Sequence, residues 1–152
     1  MKFLNSVTLS VFSRQSEEDS VAVKKALEAL APLNLSEAKL AVKEEKATGF
    51  NEQRISIFSL TLVKESHTNA FLKQMLNRLT DEQKDLLARQ RESRLDKELF
   101  FFIRFDKKNW LADRELAITD SGDCFHVKMH LAAYPARRPD ALVLVEKIFK
   151  PD

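Results

Sequence analysis

The sequence predicts an α+β fold, a mostly antiparallel sheet with helices packed on one face. Three observations predict it: period-two apolar runs alternate with helical ones, short turns join some of the strands, and helices join the rest. The expected order is β-α-β-β-α-α-β-(short α)-β-β-α in a single domain, 1-152. The chain's 152 residues match the usual size of one domain, roughly 100–150 residues. A chain this long can bury a core without a metal or disulfide staple.

From Phe3 to Phe12, Phe3, Val7, Leu9 and Val11 hold odd positions while Ser6, Thr8 and Ser10 hold even ones, which is a half-buried strand. Ser16-Glu17-Glu18-Asp19 then offers a hydroxyl cap and acids ahead of Val21, Val23, Ala26, Leu27 and Leu30, a helix with one apolar stripe that Pro32 stops. Ala38, Leu40 and Val42 alternate with Lys39 and Lys43, and a turn at Gly49-Phe50-Asn51 leads to a strand at Ile55 to Val63. Phe71, Leu72, Met75, Leu76 and Leu79 fall at helical spacing. Thr80-Asp81-Glu82-Gln83 opens a second helix with a capping-box pattern, and Arg89, Arg91 and Arg94 lie toward its negative end.

Leu99 to Phe105 is a strand, and Asp106 caps a short helix through Trp110. Leu116 and Ile118 suggest a strand, Asp120 to Asp123 a hairpin turn, and Phe125, Val127, Met129 and Leu131 a last strand. Pro139 suits the first turn of a final helix carrying Leu142, Val145, Ile148 and Phe149.

Composition is globular, with 44% hydrophobic and 32% charged residues. Lys and Arg number 25 against 23 Asp and Glu, a net charge of +2, so a polyanion would have to be held by local clusters of base. A lone Cys124 excludes an internal disulfide and suits a reducing compartment. With neither a secretory signal pattern nor a spanning apolar run, the expected location is cytoplasmic, with no membrane partner.

Phosphate-cradling loops are nearly excluded, because the glycines are Gly49 and Gly122 alone; no catalytic motif or cofactor fingerprint is present, and no enzyme is expected. Cys124, His126 and His130 share one face of the last strand, at a spacing that can chelate zinc. Lys128 between the histidines opposes a cation, and the preferred reading is an exposed polar face with no metal. Phe100, Phe102 and Arg104 also share a strand face. Periodicity favours core packing for the Phe pair; the sharper reading is a stacking surface for RNA bases. Arg89, Arg91, Arg94, Arg104, Lys107, Lys108 and Arg114 gather around this strand, either as a phosphate patch or as a salt-bridged surface with the interleaved acids.

At Arg94-Leu95-Asp96 and again from Phe102 through Arg104-Phe105-Asp106-Lys107-Lys108-Asn109-Trp110 to Ala112, the chain resembles an archaeal RNA-binding domain family described as predicted exosome subunits. The shared pattern is Arg-x-Asp, an apolar strand, and a second Arg-x-Asp followed by Lys. Lys108 stands where Gln is common, and Asn109-Trp110 departs locally. The resemblance runs from Phe3 to Phe149. It implies a fold similar to the fifth protein of the large ribosomal subunit. It also implies RNA binding in RNA processing or ribosome-related metabolism, with exosome or ribosome-related proteins as partners.

Carried over by residue, Arg94, Asp96, Arg104, Asp106 and Lys107 fall on the family motif. Arg94, Arg104, Lys107 and Lys108 would meet phosphates, Arg114 joins the RNA-binding set from the basic cluster, and Asp96 and Asp106 would orient the cations or cap turns. Trp110 is either a base-stacking ring or a buried one. The alternative is a protein–protein module, such as a homodimer, built on the Phe100/Phe102 face.

Overall fold

In chain order the elements are β1 (Leu4–Arg14), α1 (Ser20–Ala29), β2 (Lys43–Thr48), β3 (Arg54–Leu62), α2 (Glu65–Arg78), α3 (Asp81–Arg89), α4 (Arg91–Arg94), β4 (Phe100–Asp106), α5 (Lys107–Asp113), β5 (Cys124–Leu131) and α6 (Arg138–Phe149). These come from a computed structural model that describes residues 1–15, 17–49 and 52–150. The strands form one antiparallel sheet in the order β2-β3-β1-β5-β4, so the α+β class holds. Two compact units make up the chain: unit one is Met1–Val7, Leu62–Ile103 and Lys128–Asp152, and unit two is Thr8–Thr61 and Arg104–Val127. β1, β3, β4 and β5 contribute residues to both.

In unit one, α3 packs on α6, and α4 on both. Phe101 lies against Phe149 of α6 with ring centroids 5.7 Å apart, and Phe71, Leu72, Met75, Leu87, Met129 and Val145 are buried in the same unit. The capping box at Thr80 is formed: its hydroxyl accepts from Gln83 N at 3.1 Å, and Gln83 Oε1 accepts from Thr80 N at 2.9 Å.

Unit two packs α5 on α1 over Leu9, Val11, Leu27, Phe58, Phe105, Phe125 and Val127. Asp19 caps α1, accepting from Val21 N and Ala22 N at 3.0 and 3.2 Å. The expected cap at Ser16 and the expected turn residues Phe50 and Asn51 lie outside the described residues.

Two expected strands are corrected. Ala38 to Val42 is a turn followed by irregular chain, closed by Ala38 N to Asn34 O at 3.0 Å and Leu40 N to Leu35 O at 2.9 Å. The chain reverses at Lys39, whose φ is 59°. The strand proper, β2, begins at Lys43 and pairs antiparallel with β3 from Lys43↔Ser59 to Thr48↔Arg54. Every residue of β2 is exposed, so it has no apolar alternation to betray it. Leu116 to Ile118 makes only a bridge, Phe105↔Ile118, along β4, with no strand of its own. The expected hairpin turn is a bend into β5, where Gly122 adopts φ 84° at no steric cost.

Candidate nucleic-acid interface

In unit one the Arg-x-Asp motif wraps the start of β4. Arg94 donates through Nη1 to Phe102 O at 3.2 Å and through Nε to Gln90 Oε1 at 2.9 Å. Leu95 bridges Phe101. Asp96 Oδ1 accepts from Glu98 N and Phe100 N, both at 2.9 Å, while Asp96 N donates to Phe100 O at 3.0 Å. The motif therefore satisfies backbone groups of β4, which ends the sheet order and would otherwise present them as an open edge. Asp96 thus holds backbone N–H groups of the turn into β4.

The second Arg-x-Asp, in unit two, is built alike. Arg104 O accepts from Thr119 N at 2.9 Å, its exposed guanidinium reaches Asp120 O at 3.3 Å, and Asp106 N donates to Ala117 O at 2.7 Å. Asp106 also caps α5, accepting from Asn109 N at 3.0 Å.

Helix α5 turns the expected contact residues in two directions. Lys107 is 3% exposed; its ammonium donates to Phe12 O at 2.6 Å and lies 2.7 Å from Glu18 Oε2 and 3.8 Å from Asp123 Oδ2. Asp123 also holds Arg14 at 2.7 Å, and this bond raises the Arg14 pKa further above its ordinary value. Trp110 is 1% exposed and donates through Nε1 to Ala26 O at 2.8 Å. Arg114, at φ 54°, closes the helix by donating to Trp110 O at 2.8 Å and Leu111 O at 3.4 Å. Lys107, expected among the phosphate contacts, is interior, and of the two readings of Trp110 the structure has the buried one; the i, i+3 spacing puts both on one face of α5 and leaves Lys108 exposed.

What faces outward is the side of the strands opposite the helices. β4 alternates between buried Phe101, Ile103 and Phe105 and exposed Phe102 and Arg104. In unit one the Lys128 ammonium sits 4.2 Å from the Phe100 ring centroid and 5.8 Å from that of Phe102. The Phe100 and His130 rings stack at 4.5 Å, and Asn5 Nδ2 donates to His130 Nδ1 at 3.4 Å. In unit two, half-exposed His126 lies 6.1 Å from the Phe12 ring, and its Nε2 is 3.6 Å from Cys124 Sγ. Among the described residues, no group of three or more His, Cys, Asp and Glu could hold a metal ion. Sequence reasoning noticed the histidine face, but it missed that Lys128 covers the Phe100 ring. Period-two spacing marks both strands, whereas which strands are neighbours depends on sheet order.

Burial lowers the His126 pKa below its ordinary value, and the Arg104 charge adds to the effect. The folded state thus prefers neutral imidazole, and the unfolded chain binds more protons below its pKa of about 6.5. This contribution to stability is present above that pH and is lost as pH falls through the folded-state value. Urea midpoints should drop on acidification through this window, and His126→Gln should flatten the drop. An identical slope in the variant would assign the effect elsewhere.

Residues 6–131 match the model of the RNA_binding family, described as RNA binding. The chain belongs to this family. A protein of Pyrococcus abyssi named as an RNA-binding protein is 26% identical over 122 residues, 80% of this chain and 78% of that relative. A solved DUF54 protein from Archaeglobus fulgidus is 26% identical, covers 95% of this chain and 99% of its own, and superposes with a TM-score of 0.83. A DUF54 protein from Methanothermobacter thermautotrophicus shares the fold at 22% identity and TM-score 0.78, over 97% of this chain and 99% of that one. No helix among the described residues is long and apolar enough to cross a membrane.

Proposed function

We propose that the chain binds RNA without catalysing its turnover, using in each unit the side chains that face away from the helices. The observation that carries this is a strand face bearing Phe102 and Arg104 exposed, with Lys128 over aromatic rings in unit one. Membership in an RNA-binding family supports the same reading. In unit two we assign phosphate contact to exposed Arg104 and Lys108. Arg94 and Arg114 bond backbone carbonyls, and we give them the task of holding β4 and α5 in shape. On the resemblance around Arg94 to Ala112 we propose a cytoplasmic role in RNA processing or ribosome-related metabolism, as an exosome-associated accessory factor.

Joint replacement of Arg104 and Lys108 by Ala should weaken binding to all RNA sequences alike. Against single strands the salt slope should shrink by about 0.7 for each phosphate that is no longer neutralised. Anisotropy titrations of a labelled RNA across a salt series measure both, and an unchanged slope would remove these residues from the interface. A second reading, an interface between copies of this chain on the Phe100/Phe102 face, is favoured by the exposure of Phe102 at 37%. Concentration-dependent mass by light scattering tests it.

A further inference from the structure

We infer that the exposed face of unit one takes an unpaired ribonucleotide, its base stacked on Phe102 and its phosphate or a base carbonyl on Lys128. This rests on the RNA-binding reading above and specifies what that site accepts.

The two aromatic rings of this face are not equivalent. Phe100 is already engaged: His130 stacks on it at 4.5 Å with 24° between the planes, and the Lys128 ammonium covers it at 4.2 Å. Phe102 has Lys128 only at 5.8 Å and no ring partner among the described residues, and 37% of its surface is open. Its neighbours Phe101 and Ile103 are fully buried, so β4 is anchored from behind and holds the Phe102 ring on a rigid strand. A rigid aromatic face with room on it is what an unstacked base requires.

Lys128 supplies the matching charge. Among the described residues its ammonium has no carboxylate partner, only the two rings. An ammonium carries three N–H donors and no acceptor, so it remains open to a phosphate or carbonyl oxygen beside the stacked base.

Two features argue against other occupants. A-form duplex keeps its bases stacked inside, and proteins read it through phosphates and 2′-hydroxyls along about 16 base pairs, which takes a row of cations. In unit one this face offers the Lys128 ammonium over its rings, in a chain of net charge +2. A peptide adding to β4 as an extra strand would need free backbone groups, yet Phe100 O and Phe102 O already accept from Asp96 N and Arg94.

The test compares the full chain and its Phe102→Ala and Phe102→Tyr variants in anisotropy titrations. The probes are a short mixed-sequence single-stranded RNA and the blunt duplex of the same sequence. Single strand should bind more tightly than duplex. Phe102→Ala should weaken single-strand binding by roughly 5- to 100-fold and leave duplex binding unchanged, while Phe102→Tyr, which keeps the ring, should retain affinity. Duplex binding as tight as single strand, or a Phe102→Ala variant of unaltered affinity, would overturn this inference and leave the RNA-binding reading standing. No binding of either RNA at low salt would overturn both. A dimer that Phe102→Ala dissociates, with RNA affinity unmoved, would reassign the face to contact with a second copy.

Discussion

Replacing Trp110 by Ala should lower the unfolding free energy by about 3–5 kcal/mol, the range for deleting a large buried aromatic. The indole is among the largest fully buried side chains and pins α5 to α1. Its Nε1–H donates to Ala26 O at 2.8 Å, and Ala26 lies in the last turn of α1, where backbone carbonyls lack helical partners. Trp110→Phe separates the two contributions: it keeps most of the packing and removes the hydrogen bond, so it should cost less, with about 1–3 kcal/mol of that from the orphaned carbonyl. Urea unfolding of both variants gives the numbers. RNA affinity of Trp110→Phe, measured where the variant is fully folded, should equal that of the parent. A large fall in affinity with unchanged stability would return the ring to the RNA surface.

The elements legible in the sequence are those whose determinants are local. The Thr80 capping box and the Asp106 cap are written in a few consecutive residues, and both form. So is the alternation of β5, which buries Phe125, Val127, Met129 and Leu131. β1 is legible except at its start, where Leu4 is buried at an even position and the alternation slips before Val7. β2 is not legible, because Lys43-Glu44-Glu45-Lys46 is a strand only by virtue of β3 beside it. Leu116 to Ile118 misleads for the converse reason: its alternation is real, yet it meets β4 at a single bridge.

The candidate site divides along the same line. Motif residues stand out because they are distinctive in sequence, but distinctiveness does not tell solvent from interior. Arg94, Asp96 and Asp106 commit hydrogen bonds to β4 and α5, and Arg114 closes the end of α5. The residues with faces left for a ligand, Phe102 and Lys128, come from strands that are distant in sequence and adjacent in the sheet. The i, i+3 relation of Lys107 and Trp110 puts them on one face of α5, so the buried indole and the buried lysine go together.

Lys107→Met should cost about 3 kcal/mol of stability, the lower end of the range for removing one partner of a buried ion pair. Met keeps the length of the stem, so the change isolates the ammonium. Without it, Glu18 keeps the Arg14 backbone N–H at 3.1 Å but loses its counter-charge, and Phe12 O is deprived of the donor it holds at 2.6 Å. The lower end applies because the carboxylates are partly open: side-chain exposure is 20% for Glu18 and 39% for Asp123, so water can relieve them. Glu18→Gln in the Lys107→Met background should restore part of the stability, giving a coupling energy within the range of about 0.5–3 kcal/mol seen for contacting pairs. The same variants decide whether this lysine serves RNA at all. A buried ammonium between two acids has no reach to a phosphate, so folded Lys107→Met should bind RNA with parental affinity and salt slope. A slope smaller by about 0.7, the signature of one phosphate left without its cation on a single strand, would mean that Lys107 leaves Glu18 when RNA arrives.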